Sequence, residues 1–243
     1  MDKNYKALNE NIDCGTLSIH HISNMREEFF VTKDYEWWGK VQPGDIVVDI
    51  GACVGMFSCL ALDEGASKVY MVEPNKELLK LAMKNTQEYV INKPTSPVVP
   101  IHGAIVSNES HLKHIYNSNQ AGDYKRFTFR QLLDTYNIDK IDYLKIDCEG
   151  GEYDIFTTEN IEWIDKNVKH IAVEMHLRHY ENGGWDFIKF RNEFLKHFID
   201  KGTVRFMSTL LHNRIYNDAA ILNKNYDVFP PEFMLYIING QTE

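Results

Sequence analysis

The chain has 243 residues, a formal net charge of −9, 44% hydrophobic and 25% charged residues, which suits one α/β domain with additions. With a pI of about 5.6 and no Lys/Arg block, it disfavours a duplex nucleic-acid partner, whose phosphates need a basic footprint. No apolar run approaches the roughly 20 residues of a membrane span, the start MDKNYKALNENIDCG lacks a signal-peptide core, and Cys14, Cys53, Cys59 and Cys148 form no C-x-x-C pair, so a cytoplasmic protein with free thiols is expected.

Residues 1–40 are mixed, with short alternating pieces and an aromatic-rich YEWWGKV, and read as an extension or cap on a domain spanning 41–243. QPGD is a turn that launches a strand. From there the pattern alternates. Strands are expected at 46–50, 68–73, 97–106, 141–147 and 169–175, followed by TVRFMS and EFMLYII. Helices are expected at 55–64, 75–90, 151–160 and 185–200, with another capped by Thr128. Alternation of this kind predicts a largely parallel, seven-stranded sheet covered by helices on both faces. Ligands in such sheets bind beyond the carboxyl ends of the strands.

The loop in VVDIGACVGMFS sits at the first of those ends. Its glycines, Gly51 and Gly55, bracket Cys53, which stands where a dinucleotide fingerprint needs its middle glycine. No P-loop is present. Asp49 at the loop's mouth repels phosphate and favours a cationic ligand. Glu73 ends the next strand, before Pro74 and Asn75, where a carboxylate accepts both ribose hydroxyls. A carboxylate, a small-residue loop and a second carboxylate suit S-adenosylmethionine, which carries two cationic centres at its methionine end and no phosphate. A nicotinamide-dependent oxidoreductase fits less well.

The segments VVDIGACVGMFS, VYMVEPN, FRQLLDTYNIDKIDYLKIDCEGGEYDIF and IAVEMH, in that order, resemble the FkbM-type S-adenosylmethionine-dependent methyltransferases over roughly residues 40–180. The resemblance implies a Rossmann-like class I methyltransferase fold and O-methylation of a sugar or small-molecule hydroxyl. The family usually has Asn at the position of Cys53 and Ala at that of Gly151. Cofactor contacts are then expected from Asp49, Gly51, Ala52, Cys53, Gly55, Phe57 and Ser58, from Glu73, Pro74 and Asn75, and from Gly103 and Ala104 at the third strand end.

Asp147 and Glu149 follow the fourth strand, and Glu174 and His176 close the fifth. These four are the candidate catalytic residues. A hydroxyl acceptor must lose its proton, and His176, with an ordinary pKa near 6.5, is a candidate base. The alternatives are a divalent ion on Asp147 and Glu174 with His176 as third ligand, or a purely structural pair. His179 extends the histidine spacing to H-x-x-H. Glu152 reads as a helix-start charge, and Lys145, odd inside an apolar strand, as a neutraliser of nearby carboxylates. His111 and His114 read as surface residues. The aromatics of YEWWGK either cap the cofactor or pack in the core. Competing functions are N-methylation of an amine or amide, and a cofactor-binding domain without catalysis.

Overall fold

The computed structural model describes residues 10–91, 94–107, 123–176, 187–207, 215–216 and 232–239. His111, His114 and His179 lie outside them. The strands are β1 Ile46–Ile50, β2 Lys68–Glu73, β3 Val98–Ile105, β4 Lys125–Phe127, β5 Ile141–Ile146, β6 Val168–His176, β7 Val204–Met207, β8 Ile215–Tyr216 and β9 Glu232–Ile238. They form one sheet in the order β4-β3-β2-β1-β5-β6-β9-β7-β8. All pairs from β4 to β6 are parallel, and β9 runs antiparallel between β6 and β7. The seven expected strands are all present. β4 and β8 are additional, at 3 and 2 residues too short to leave a periodic signal.

Strand parity divides the core. Val48, Ile50, Leu144, Ile146, Ile171 and Val173 face one hydrophobic cluster, which contains Phe129, Leu132, Phe194 and Phe198 from helices. Val47, Tyr143 and Ala172 face the other, with Phe57 and Leu60 from the helix Met56–Asp63 and Leu79 from Lys76–Asn85. Both faces of the sheet are therefore covered. The N-terminal segment belongs to the second cluster through Met25, Phe29 and Tyr35. Each such burial contributes about 1.5–3 kcal/mol, enough to hold the segment on the domain.

Local chemistry sets the element ends. Asn75 Oδ1 accepts from the backbone N–H groups of Glu77 and Leu78, and Thr128 and Gln131 form a capping box. The helix expected over 75–90 breaks at Thr86 into Lys76–Asn85 and Gln87–Val90, where the Thr86 hydroxyl donates to the Ala82 carbonyl. The helix expected over 151–160 is only Glu152–Ile155, followed by a 3-10 turn. Among the described residues no helix is long and apolar enough to cross a membrane. Because β1 pairs β2 on one side and β5 on the other, the strand order reverses there, which opens a crevice at their carboxyl ends.

Candidate active site

A cavity of ≈ 640 Å³ opens at that crevice. Its floor comes from the ends of β1, β2, β3, β5 and β6, and its outer wall includes Met25, Glu28 and Phe29 of the N-terminal segment. The segment expected as a cap thus lines the site.

The loop after β1 turns through Gly51 at φ +76° and Gly55 at φ +78°. A Cβ on Gly51 would lie 1.7 Å from the Asp147 carbonyl oxygen, so only glycine lets β1 and β5 approach this closely. A Cβ on Gly55 would lie 2.9 Å from the Cβ of Ala82 in the helix Lys76–Asn85. Gly55 therefore serves helix packing, and it does not line the cavity, unlike Gly51, Ala52, Cys53 and Phe57. Cys53 holds a left-handed φ of 49°, a conformation costly for most side chains but tolerated by the Asn usual at this position. Burial pushes its thiol pKa up to about 12, so it is no nucleophile.

Asp49, expected at the mouth of the ligand loop, is held by side chains of the protein. It is 0% exposed and absent from the cavity wall. Strand parity turns it inward, where the Ser58 hydroxyl donates to its Oδ2 at 2.6 Å and the Lys145 ammonium pairs with its Oδ1 at 3.2 Å. Ser58 is likewise spent on Asp49 and does not reach the cavity. The cation that Asp49 was expected to attract from a ligand is a side chain of the protein. Lys145 also lies 3.7 Å from Asp147 Oδ2 and donates to the Gly51 carbonyl at 2.8 Å. Burial opposes its charge, but Asp49 and Asp147 outweigh it and raise the pKa. The expected neutralising role is what the geometry provides.

Glu73 lies on the cavity wall with Pro74 and Asn75. Its Oε2 accepts from the Cys53 N–H at 2.9 Å and its Oε1 from the Asn75 N–H at 2.7 Å. Burial raises its pKa to about 7 against those bonds. Each oxygen keeps a second lone pair, so the carboxylate fits the diol of an adenosine ribose. Gly103 and Ala104 line the same cavity. A Cβ on Gly103 would sit 2.7 Å from the Lys125 carbonyl, so its smallness answers first to β4.

Asp147, Glu149, Glu174 and His176 all reach the cavity. One ligand atom each from Asp147, Glu149 and His176 lies within 4.8 Å of the others, while Glu174 Oε2 accepts from the Tyr35 hydroxyl at 3.2 Å. His176 Nδ1 lies 3.1 Å from Oε1 of Glu152, and its Nε2 3.9 Å from Oε2 of Glu149. Burial lowers the histidine's pKa, but Glu152, Asp147 and Glu174 prevail and raise it to about 11. The near-neutral base expected from the sequence instead faces a buried carboxylate, a setting that favours its protonated form. Asp147, Glu149 and His176 are donors of the kind a divalent ion takes, and an ion held there would need the Nε2 lone pair of His176 while Nδ1 stays on Glu152. Glu152, expected to be a solvated helix-start charge, is 0% exposed and pairs with His176. Its place at the end of the LKIDCEGGE run, which carries the family resemblance, was the available signal.

A family model for the methyltransferase FkbM domain matches residues 49–203. Among solved structures, the FkbM methyltransferase from Methylobacillus flagellatus KT is 13% identical, over 96% of this chain and 57% of that one, with a TM-score of 0.49. The precorrin-6y C5,15-methyltransferase from Geobacter metallireducens GS-15 is 11% identical over 95% of each chain, with a TM-score of 0.47. An O-methyltransferase from Bacillus cereus in complex with SAH is 11% identical over 98% and 93%, with a TM-score of 0.46. No curated protein matches. The family match spans well over half of the chain, and the chain belongs to the FkbM family of S-adenosylmethionine-dependent methyltransferases.

Proposed function

We propose that this methyltransferase transfers a methyl group to a hydroxyl of a small molecule or of a sugar or glycan. One observation carries the reading. The loop Gly51–Cys53 and Glu73, which suit the cofactor, share a single cavity with Asp147, Glu149, Glu174 and His176. S-adenosylmethionine, when bound, supplies a methyl group already activated by its sulfonium. The chain has then to orient the acceptor, exclude water and take the hydroxyl proton. Glu73 and the loop hold the adenosine and methionine ends. Asp147 or Glu149 accepts the proton, and the imidazolium of His176 faces them as a fixed counter-charge. Tyr35 keeps Glu174 in place as a hydrogen-bond acceptor for the substrate. The wall formed by Met25, Glu28 and Phe29 limits access of water.

The acid-rich acceptor end disfavours phosphorylated substrates. It also gives N-methylation a specific footing, since carboxylates attract an ammonium group. A screen with isotopically labelled cofactor against hydroxylated metabolites, glycans and amines tests the reading. Label in an acid-stable ether supports it. Label only on nitrogen replaces it with the amine reading.

A further inference from the structure

We propose that Glu152 is a positioning residue of methyl transfer, one carboxylate that holds both the Glu149 turn and the His176 ring in their working orientation. The inference rests on the acceptor reading above. Glu152 opens a helix of only four residues, where an acidic side chain would ordinarily be solvated. Instead it is fully buried, which is costly for a carboxylate unless donors surround it. Its Oε1 accepts from the Cys148 N–H at 3.2 Å, the Gly150 N–H at 3.1 Å and the Cys148 thiol at 3.6 Å, and faces His176 Nδ1 at 3.1 Å.

The two amides are those on either side of Glu149. Glu149 has φ 55° and Gly150 φ 102°, and the first of these is a conformation a glutamate resists. Accepting both flanking amides is what holds that turn open. The same oxygen reaches the end of β6. Because Nδ1 is turned to Glu152, Nε2 of His176 is directed at Glu149. Glu152 thus sets the spacing between an acid from the β5 loop and a cation from β6. The titratable groups around His176 include Asp147, Glu149 and Glu152 from the loop and helix, Glu174 from its own strand, and Tyr153, whose hydroxyl donates to the His176 carbonyl at 3.5 Å. Glu152 is the fully buried member of that set, and its charge anchors the ring's proton.

A residue that merely satisfied amides would tolerate glutamine, which keeps the shape and one acceptor oxygen. The test is Glu152→Gln, read by adenosylhomocysteine calorimetry, by ring ¹⁵N NMR of His176 and by turnover on an acceptor from the screen. The expected result is cofactor affinity within about threefold of the parent, a lowered pKa of the His176 ring, and kcat reduced about 10²-fold with KM changed far less. Parental kcat together with an unchanged ring would overturn the proposal. If the variant does not fold, the parent decides: a proton on Nδ1 of His176, bonded to Glu152, supports the proposal, and a ring protonated on Nε2 alone overturns it. The NMR and calorimetric arms need no acceptor, so a failed screen counts against the acceptor reading alone.

Discussion

Tyr35 donates its hydroxyl hydrogen bond to Oε2 of Glu174 at 3.2 Å, across 139 residues of sequence. The tyrosine is held independently of that bond, stacked on Phe29 with centroids 5.0 Å apart and tilted against Phe57 at 6.0 Å. The Lys145 ammonium lies 5.5 Å from its ring centroid. Its hydroxyl therefore arrives at the acceptor end from a rigid base, and the N-terminal segment supplies part of the site. Tyr35→Phe should keep the packing and lose about 0.5–1.5 kcal/mol of stability. We expect kcat/KM for the acceptor to fall about tenfold while adenosylhomocysteine affinity holds, as read by thermal melts, kinetics and calorimetry. Equal loss of cofactor affinity would mean that Tyr35 supports the whole cavity.

Glu73 makes two separable predictions. Glu73→Ala should weaken adenosylhomocysteine binding by about 1.5–3 kcal/mol, the range for hydrogen bonds to a charged group, and calorimetry measures it. Its raised pKa also has a sign in stability. A carboxyl with an ordinary pKa of 4.5 and a folded value of about 7 is protonated longer in the folded chain. Its stabilising contribution is present below about pH 4.5 and is lost as pH rises through 7. Urea melts of the cofactor-free protein at several pH values should show this slope, and Glu73→Gln should flatten it.

The loop after β1 was legible as a ligand loop, but not its division of labour. Apolar runs and turn residues are local, so β1, β2, β3, β5 and β6 and the capped helices could be read from the chain. Which partner a side chain finds is not local. Asp49 is paired with Lys145, 96 positions away; a lysine inside an apolar strand announces a carboxylate partner, but not which one. Glu152 has the place of a helix-start acid, and its burial and its bonds to the Cys148 and Gly150 amides are visible only in the structure. Gly51 looks like a residue that makes room for a ligand, whereas the atom it makes room for is the Asp147 carbonyl oxygen.

That last contact changes the expected effect of substitution. Gly51→Ala should disrupt folding before it affects binding, because the Asp147 backbone just past β5 cannot move aside as a side chain could. We expect a large loss of thermal stability, or no soluble protein. Gly44→Ala provides the contrast. It also has positive φ, at 93°, but nothing lies within 4 Å of its built Cβ, so it should cost about 1 kcal/mol. Comparable stabilities for the two variants would contradict the steric account.

Cys53→Asn should stabilise the protein by about 0.5–1 kcal/mol, because asparagine tolerates the left-handed backbone that cysteine holds at φ 49°. The Cys53 N–H that binds Glu73 is retained, so cofactor affinity should stay within a few-fold. A melt at equal or lower temperature would show that the thiol's packing matters more than the backbone.

The last prediction concerns His176 and the divalent-ion alternative. Its folded pKa of about 11 exceeds the ordinary 6.5. Its contribution to stability is therefore complete below about pH 6.5 and is lost as pH rises toward 11. His176→Gln should flatten that part of the profile. The same substitution removes the fixed cation facing Asp147 and Glu149, and we expect kcat to fall about 10²-fold with cofactor affinity kept. The parental pH–rate profile should carry no limb near pH 6.5 from this histidine. Because the imidazolium already holds the cation's place among the carboxylates, EDTA should leave turnover unchanged, and added Mg²⁺ or Mn²⁺ should not raise it. Loss of activity in EDTA with recovery on adding either ion would reverse the assignment, making His176 a neutral ligand and Glu152 the carboxylate that orients it.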